Sequence, residues 1–228
     1  MTLKKFMKEL SGERVEGEII KSMFYSFITS FFILLILYLV KFRFIEDFMG
    51  KYGFYLFFAM LSYSLFIPIM RQVRAYKEFN CMAGMMIGMT SGMIVGFLVG
   101  FYTGATNGML MGSVFGSLVG ILFGVWLGSC CGVMGFLEGI MAGFMGGLMG
   151  AMTAVMMIND NLQFATVFIF IVTTIILLGL NYMVYLEAKE VQREVFEDHT
   201  LTIIITFVLI VTTVFIMLFG PRSLLFGG

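Results

Sequence analysis

Charged residues are scarce in this chain: 12% of its 228 residues are charged, whereas 60% are hydrophobic. A soluble domain of this length needs more charged surface than that to remain in solution. The 14 basic residues equal the 14 acidic ones, so the composition lacks the strongly basic character of a nucleic-acid-binding protein. The shortage of charge therefore indicates a protein of the lipid bilayer, without a nucleic-acid partner.

Residues that often carry enzyme chemistry are also scarce. The single histidine, His199, excludes a site built from several histidines, and a catalytic triad cannot be assembled around it inside a span. The chain contains no GxSxG, HExxH or Walker-type sequence. These absences predict that the protein is not an enzyme.

Long uncharged stretches define the membrane spans. A bilayer core about 30 Å thick requires about 20 apolar residues in a helix. Four stretches hold one span each, while residues 79–159, whose only charge is Glu138, hold three spans separated by turns at 103–107 and 129–132. We predict an all-α, polytopic helical membrane protein with spans at 22–40, 53–70, 81–102, 108–128, 133–157, 162–185 and 201–219.

Basic residues in the loops predict the orientation, because cytoplasmic loops carry an excess of lysine and arginine. If the N-terminus is inside, the outer loops receive only Lys41, Arg43, Lys51 and Arg222, and every other basic residue is cytoplasmic. We therefore expect a multi-pass protein of the cell membrane with a cytoplasmic N-terminus and an external C-terminus.

Composition divides the chain into four parts. Residues 1–21 mix charges of both signs and are expected to form a cytoplasmic segment instead of a cleavable signal peptide. Residues 22–80 hold the first two transmembrane helices, and residues 81–157 form a three-helix core rich in glycine and methionine. Residues 158–228 hold the last two helices, joined by a charged cytoplasmic connection.

Glycine recurs at every fourth position from Gly84 to Gly132. Four residues turn a helix through about 400°, so each glycine stripe winds around its helix and can meet more than one neighbour. In the fifth span, steps of three and four keep the stripe straight. Small residues let membrane helices approach closely. We predict a glycine-zipper core in spans three to five, packed at Gly84, Gly88, Gly92, Gly96, Gly100, Gly112, Gly116, Gly120, Gly124, Gly135, Gly139 and Gly143.

Methionine is the second unusual component: 14 of the 22 methionines lie between Met82 and Met157. Thioethers are soft ligands that favour Cu(I), and weak repeated sites suit ion conduction. If a path exists, methionines of the fifth span should point toward those of the third. Methionine is also a flexible gap filler, and this interpretation stays open. The candidate transport path contains Glu138, Met85, Met89, Met93, Met134, Met141, Met145 and Met149.

The three cysteines are all predicted on the cytoplasmic side. Cys81 begins the third span, and Cys130 and Cys131 lie in the turn before the fifth. A reducing cytoplasm keeps them as thiols, so with Met82 they form a candidate metal site at the inner mouth of the path. Cysteine is equally a small, nearly apolar residue at helix ends, and no CxxC or histidine partner accompanies these three.

Two MxxxM steps, Met85 to Met89 and Met89 to Met93, resemble the pore motif of the Ctr-type copper transporters. In that family the motif supplies thioethers around a three-fold pore, so the resemblance implies contact between these methionines and Cu(I). It covers only this short stretch, and the family's three spans differ from the seven predicted here. The resemblance is one of chemistry and does not indicate membership.

Three functional hypotheses follow. The sequence favours a small integral membrane transporter or channel for a soft metal ion such as Cu(I). The first alternative is a non-transporting membrane scaffold or subunit whose glycine faces mediate packing against a partner subunit or in a homo-oligomer. The second alternative is a proton- or small-solute-coupled permease that uses Glu138, because an intramembrane carboxylate is costly and commonly marks an ion path. Glu138 lies only about five residues from the inner end of the fifth span, so access of its carboxylate to the cytoplasmic interface is an equally open interpretation.

Overall fold

The structure, a computed structural model, describes residues 15–40, 52–75, 80–129, 132–187 and 199–221. These residues are helical apart from short turns and include no β-strand, so the predicted all-α class is confirmed. A 3₁₀ turn, Met157–Asn159, follows the fifth helix. The helices are α1 (Val15–Val40), α2 (Phe54–Ala75), α3 (Cys81–Asn107), α4 (Met109–Gly128), α5 (Gly132–Met156), α6 (Leu162–Glu187) and α7 (His199–Phe219).

Six helices, α2 to α7, are long and apolar enough to cross a membrane. The prediction of a polytopic helical membrane protein is therefore confirmed. The first predicted span, 22–40, lies within α1, whose described apolar part, Lys21–Ile36, is shorter. The seventh span thus stays a prediction.

The turn between α3 and α4 is shorter than predicted. Residues 103–107 continue α3 as helix, where the hydroxyls of Thr103 and Thr106 donate to the carbonyls of Val99 and Tyr102 one turn earlier. Gly108 alone makes the turn, at φ 104° and ψ 174°, a conformation essentially restricted to glycine. A cluster of polar residues therefore resembles a turn when only the sequence is read, although their side chains bond back to their own helix.

Helices α3 and α4 are antiparallel and touch backbone to backbone. A Cβ placed on Gly116 would lie 2.6 Å from the Cα of Gly100, and one on Gly88 would lie 2.8 Å from the Cα of Gly128. Real Cβ atoms essentially never approach other atoms below 3.0 Å. Any side chain at these positions would force the two helices apart.

Helix α5 packs against both α3 and α4 in the same way. A Cβ on Gly96 of α3 would lie 2.7 Å from the carbonyl oxygen of Gly143, and one on Gly124 of α4 would lie 2.5 Å from that of Gly139. The other predicted packing glycines are buried within these three interfaces or beside them: Gly84, Gly92, Gly112, Gly120 and Gly135. The three helices form a tight unit that leaves no room for larger side chains between them.

Helix α2 connects this unit to the remaining helices. Its Phe58 ring lies 5.5 Å from that of Phe170 on α6, and its Phe66 ring lies 5.5 Å from that of Phe123 on α4. The Ser62 hydroxyl also forms a 2.8 Å hydrogen bond with the hydroxyl of Tyr102 on α3. Aromatic packing and the Ser62–Tyr102 hydrogen bond, instead of glycine contacts, therefore join α2 to its neighbours.

Two side-chain bonds show which helix ends lie together. The Asn80 amide, before α3, donates to the carboxylate of Glu187 at the end of α6. The Asn107 amide, at the other end of α3, donates to the Ile216 carbonyl oxygen near the end of α7, at 2.6 Å. Successive helices therefore alternate in direction. We call the end that carries Asn80 and Arg74 the basic end; its predicted cytoplasmic location stays a prediction.

Candidate functional site

One side of α5 is made entirely of small residues. Every buried residue of this helix is glycine or alanine, and Gly139, Gly143 and Gly147 lie against the backbone of α4. Larger side chains cannot fit where the backbones approach this closely. The methionines of α5 are therefore excluded from the contact with α3 and α4.

The opposite side of α5 presents the methionines. Met141 is 64% exposed in the chain, and Met145 and Met149 are also more than half exposed. We call this row, with the carboxylate in it, the methionine face: Met134, Glu138, Met141, Met145, Met149, Met152 and Met156. We expected these side chains to meet the methionines of α3 across an interior path. The structure instead places glycine between the helices and the thioethers on the outer surface.

The methionines of α3 form a second exposed row next to α5. Met89 and Met93 are exposed, and Met85 is half-buried. The carbonyl oxygen of Met93 lies against Gly146 of α5, in a contact too close to admit a Cβ. The first half of α3 therefore runs along α5, as the contacts of Gly88 and Gly92 also show, and it exposes four methionines: Met82, Met86, Met89 and Met93.

Glu138 lies within the methionine face near the basic end. It is half-buried and six residues after the first residue of α5, about 9 Å along the helix axis. Its sequence neighbours in the row, Met134 and Met141, are both exposed. Helix geometry therefore places one carboxylate among neutral sulfur atoms on the outer surface of the helix unit.

Outer surfaces elsewhere in the chain have a different composition. The exposed large side chains of α6 and α7 include Phe168, Ile175, Ile204 and Phe215, and no methionine is among those described on these two helices. On α4 the exposed row is mainly aliphatic and includes Leu118 and Leu122. The described outer surfaces of α6 and α7 are therefore aliphatic and aromatic, whereas that of α5 combines its methionines with side chains such as Leu137, Phe144 and Leu148.

The structure tests little of the predicted cysteine site. Cys81 is exposed at the start of α3 beside the exposed Met82, whereas Cys130 and Cys131 lie outside the described residues. Within the part of the chain that the structure describes, no group of three or more His, Cys, Asp or Glu side chains could hold a metal ion. A cysteine site at this end stays a prediction.

Sequence reasoning missed a set of buried carboxamides. Gln72 on α2 is fully buried, and neither polar atom of its side chain has a hydrogen-bond partner in the structure. The Oδ1 atoms of Asn181 on α6 and Asn107 on α3 are also buried without a partner. Gln72 lies beyond the predicted end of the second span at residue 70, although α2 continues to Ala75. A polar residue within one turn of a span end was the available signal.

Helix geometry places Gln72 and Asn181 on the sides of α2 and α6 that face each other. Phe58 and Phe170 mark the contact of α2 with α6. On α2, Gln72 follows Phe58 by 14 residues. On α6, Asn181 follows Phe170 by 11 residues. At about 3.6 residues per turn, both carboxamides lie within about 40° of that contact line. Measured along the helix axes from the Phe58–Phe170 contact, their positions differ by about 5 Å, since each residue rises about 1.5 Å. This geometry predicts buried hydrogen-bonding groups between α2 and α6 near the basic end.

Comparisons with protein-family models, with curated proteins and with solved structures find no match for this chain. Its class is therefore defined by the fold alone: a polytopic α-helical membrane protein with a closely packed three-helix unit. Within this fold, the methionine face differs in composition from the described outer surfaces of α6 and α7.

Proposed function

We propose that the protein is an integral membrane transporter or channel for a soft cation such as Cu(I), with its route along the methionine face between subunits. The observation that supports this proposal is the difference between outer surfaces of one chain. Six methionines are exposed on the methionine face, whereas α6 and α7 expose Leu, Ile, Val and Phe. Lipid contact alone gives no reason for this difference.

The methionine face is long enough to serve a whole bilayer. Met134 and Met156 are 22 residues apart, which corresponds to about 33 Å of helix against a hydrocarbon core of about 30 Å. Thioethers are neutral, soft ligands for Cu(I). A series of weak sites lets an ion leave each site as readily as it enters.

Glu138 favours a cation over a purely apolar contact. A carboxylate that faces hydrocarbon is costly, and such groups commonly pair with ions or mark ion pathways. A cation held by the neighbouring sulfur atoms would offset the charge of Glu138. Packing against lipid or protein alone gives no reason for a carboxylate in this row.

A second subunit completes the proposed route. The glycine contacts close the space between α3, α4 and α5, so the thioethers of the described helices surround no path between these three. A row of sulfur atoms on one helix can contact an ion from one side only. We therefore propose a homo-oligomer in which the methionine faces of two or more copies oppose each other.

Transport by purified protein in liposomes tests the proposal. The triple variant Met141→Leu, Met145→Leu, Met149→Leu removes three sulfur atoms at similar volume and apolarity, so folding should be kept. Its Cu(I) uptake should fall to the level of protein-free vesicles. The matched control, Met23→Leu with Met109→Leu, changes exposed methionines outside the face and should transport normally. Absence of uptake by the wild type, or full uptake by the triple variant, would reject the cation route.

A non-transporting membrane subunit is the second candidate. Flexible methionines are well suited to contact with a partner, which favours this function without any ion. The glycines that were expected to bind a partner are instead in contact within the chain, so the methionine face would be the docking surface. Oligomers that form without Cu(I) uptake, and that the triple variant disrupts, would favour this candidate.

A further inference from the structure

An apolar groove lies between α4 and α7, on a different surface from the methionine face. It has a volume of about 610 Å³, and among the described residues that line it Thr212 alone carries a hydroxyl group. The rest of its lining is aliphatic or aromatic and includes Leu118, Leu122, Trp126, Ile204 and Val208. Such a surface binds hydrocarbon and offers almost no hydrogen bonds to a polar solute.

The groove extends along the axes of α4 and α7. Both helices that form it are long and apolar enough to cross a membrane. Its lining on α4 runs from Phe115 to Trp126, about 17 Å along the helix axis. This distance is about half the hydrocarbon core of a bilayer. One lipid acyl chain, lying parallel to the helices, matches this shape.

A positively charged side chain, that of Arg74, lies next to the groove at its basic end. Trp126 lines the groove two residues before the end of α4, and the Arg74 guanidinium carbon lies 4.8 Å from the centroid of its ring. Tryptophan and arginine near the ends of spans are typical of the headgroup level of a bilayer. Basic side chains between transmembrane helices attract anionic lipid headgroups.

We propose that this groove binds an anionic phospholipid, with an acyl chain between α4 and α7 and the phosphate beside Arg74. The hydrocarbon lining provides contact with the chain, whereas the arginine provides the preference for negative charge. Trp126 joins the two regions, because it lines the groove and the Arg74 guanidinium group lies over the face of its ring. A zwitterionic lipid of the same chain length would occupy the groove less tightly.

Thermal stability in detergent tests this site with two lipids of identical chains, phosphatidylglycerol and phosphatidylcholine. Phosphatidylglycerol should raise the melting temperature of the wild type more than phosphatidylcholine does. Val208→Trp fills the groove and should abolish the shift for both lipids, whereas Leu178→Trp, on an exposed part of α6, should leave both shifts unchanged. Arg74→Gln should make the two lipids equivalent, and Arg74→Lys should retain the preference if the glutamine variant does not fold.

Three outcomes would overturn the proposal. Equal shifts for the two lipids in the wild type would remove the headgroup preference. A lipid shift that survives Val208→Trp would place the lipid elsewhere on the protein. A dimer in the wild type that Val208→Trp converts to monomer would show that a second copy of the chain occupies the groove.

Discussion

Gly116 lies where α4 meets α3, and a Cβ at this position would lie 2.6 Å from the Cα of Gly100. We predict that Gly116→Ala destabilises the protein by about 1–3 kcal/mol, because an added methyl group must push two backbones apart. Gly179 on α6 is the matched control, since a Cβ there meets nothing within 4 Å. Its replacement by alanine should be neutral or stabilise by about 0.5–1 kcal/mol, because glycine weakens a helix interior. Equal melting temperatures for Gly116→Ala and the wild type would refute the predicted glycine zipper.

Gln72 presents the opposite case, a buried polar group without a partner. An unsatisfied buried group costs about 1–3 kcal/mol, so we expect Gln72→Met, which keeps the volume, to raise the melting temperature. Ser62→Ala is the contrast, because its hydroxyl is bonded to Tyr102 at 2.8 Å, and we expect a loss of about 1 kcal/mol. A stability loss in Gln72→Met would instead show that the carboxamide binds water or another ligand at the α2–α6 interface.

At the scale of helices, the turn between α3 and α4 depends on one residue. Gly108 has φ 104° and ψ 174°, whereas Gly132, at the start of α5, has φ 67°. The first conformation is essentially restricted to glycine, while asparagine tolerates the second. Gly108→Asn should therefore destabilise the protein by about 1–3 kcal/mol, and Gly132→Asn by clearly less. Chemical unfolding of both variants measures the difference, and equal losses would contradict this account of the turn.

The positions of the helices could largely be predicted from the sequence because charge is rare and marks the span ends. The sixth span, predicted at 162–185, is observed as Leu162–Glu187. The surroundings of the methionines could not be predicted in this way. Their spacing on α5 correctly places them on one side of the helix, but spacing does not show what that side faces. The contacts of Gly139 and Gly143 were needed to show what each side of α5 faces. At these positions the backbone of α5 lies directly against the backbones of α3 and α4.

The buried carboxamides were missed for a different reason. Arg71 and Gln72 follow an apolar stretch, so they resemble the polar end of a span, yet both are buried within α2. A basic residue at a span end is the expected pattern at a membrane surface. Burial by α6 and the other neighbours of α2 is a tertiary effect, and hydropathy along one chain does not report it.

For the whole molecule, orientation in the membrane is the first prediction to test. Thiol labelling with an impermeant reagent, on a background without native cysteines, should modify Asp160→Cys from outside the cell. Lys21→Cys should react only after the membrane is opened, because the two positions lie at opposite ends of the helix bundle. The imbalance of basic residues between the two sides provides the reason. Labelling of the Asp160 variant from the cytoplasm alone would reverse the predicted topology.

The central claim is that a second copy of the chain covers the methionine face. Cross-linking in native membranes tests it most directly, using Met145→Cys on a background in which Cys81, Cys130 and Cys131 are replaced by serine. A short thiol-specific cross-linker should convert this variant to a covalent dimer. Leu178→Cys, at an exposed position on α6, should remain monomeric under the same conditions. A Met145 variant that stays monomeric, or that cross-links no more than the Leu178 variant, would show that the methionine face meets lipid and would contradict the account.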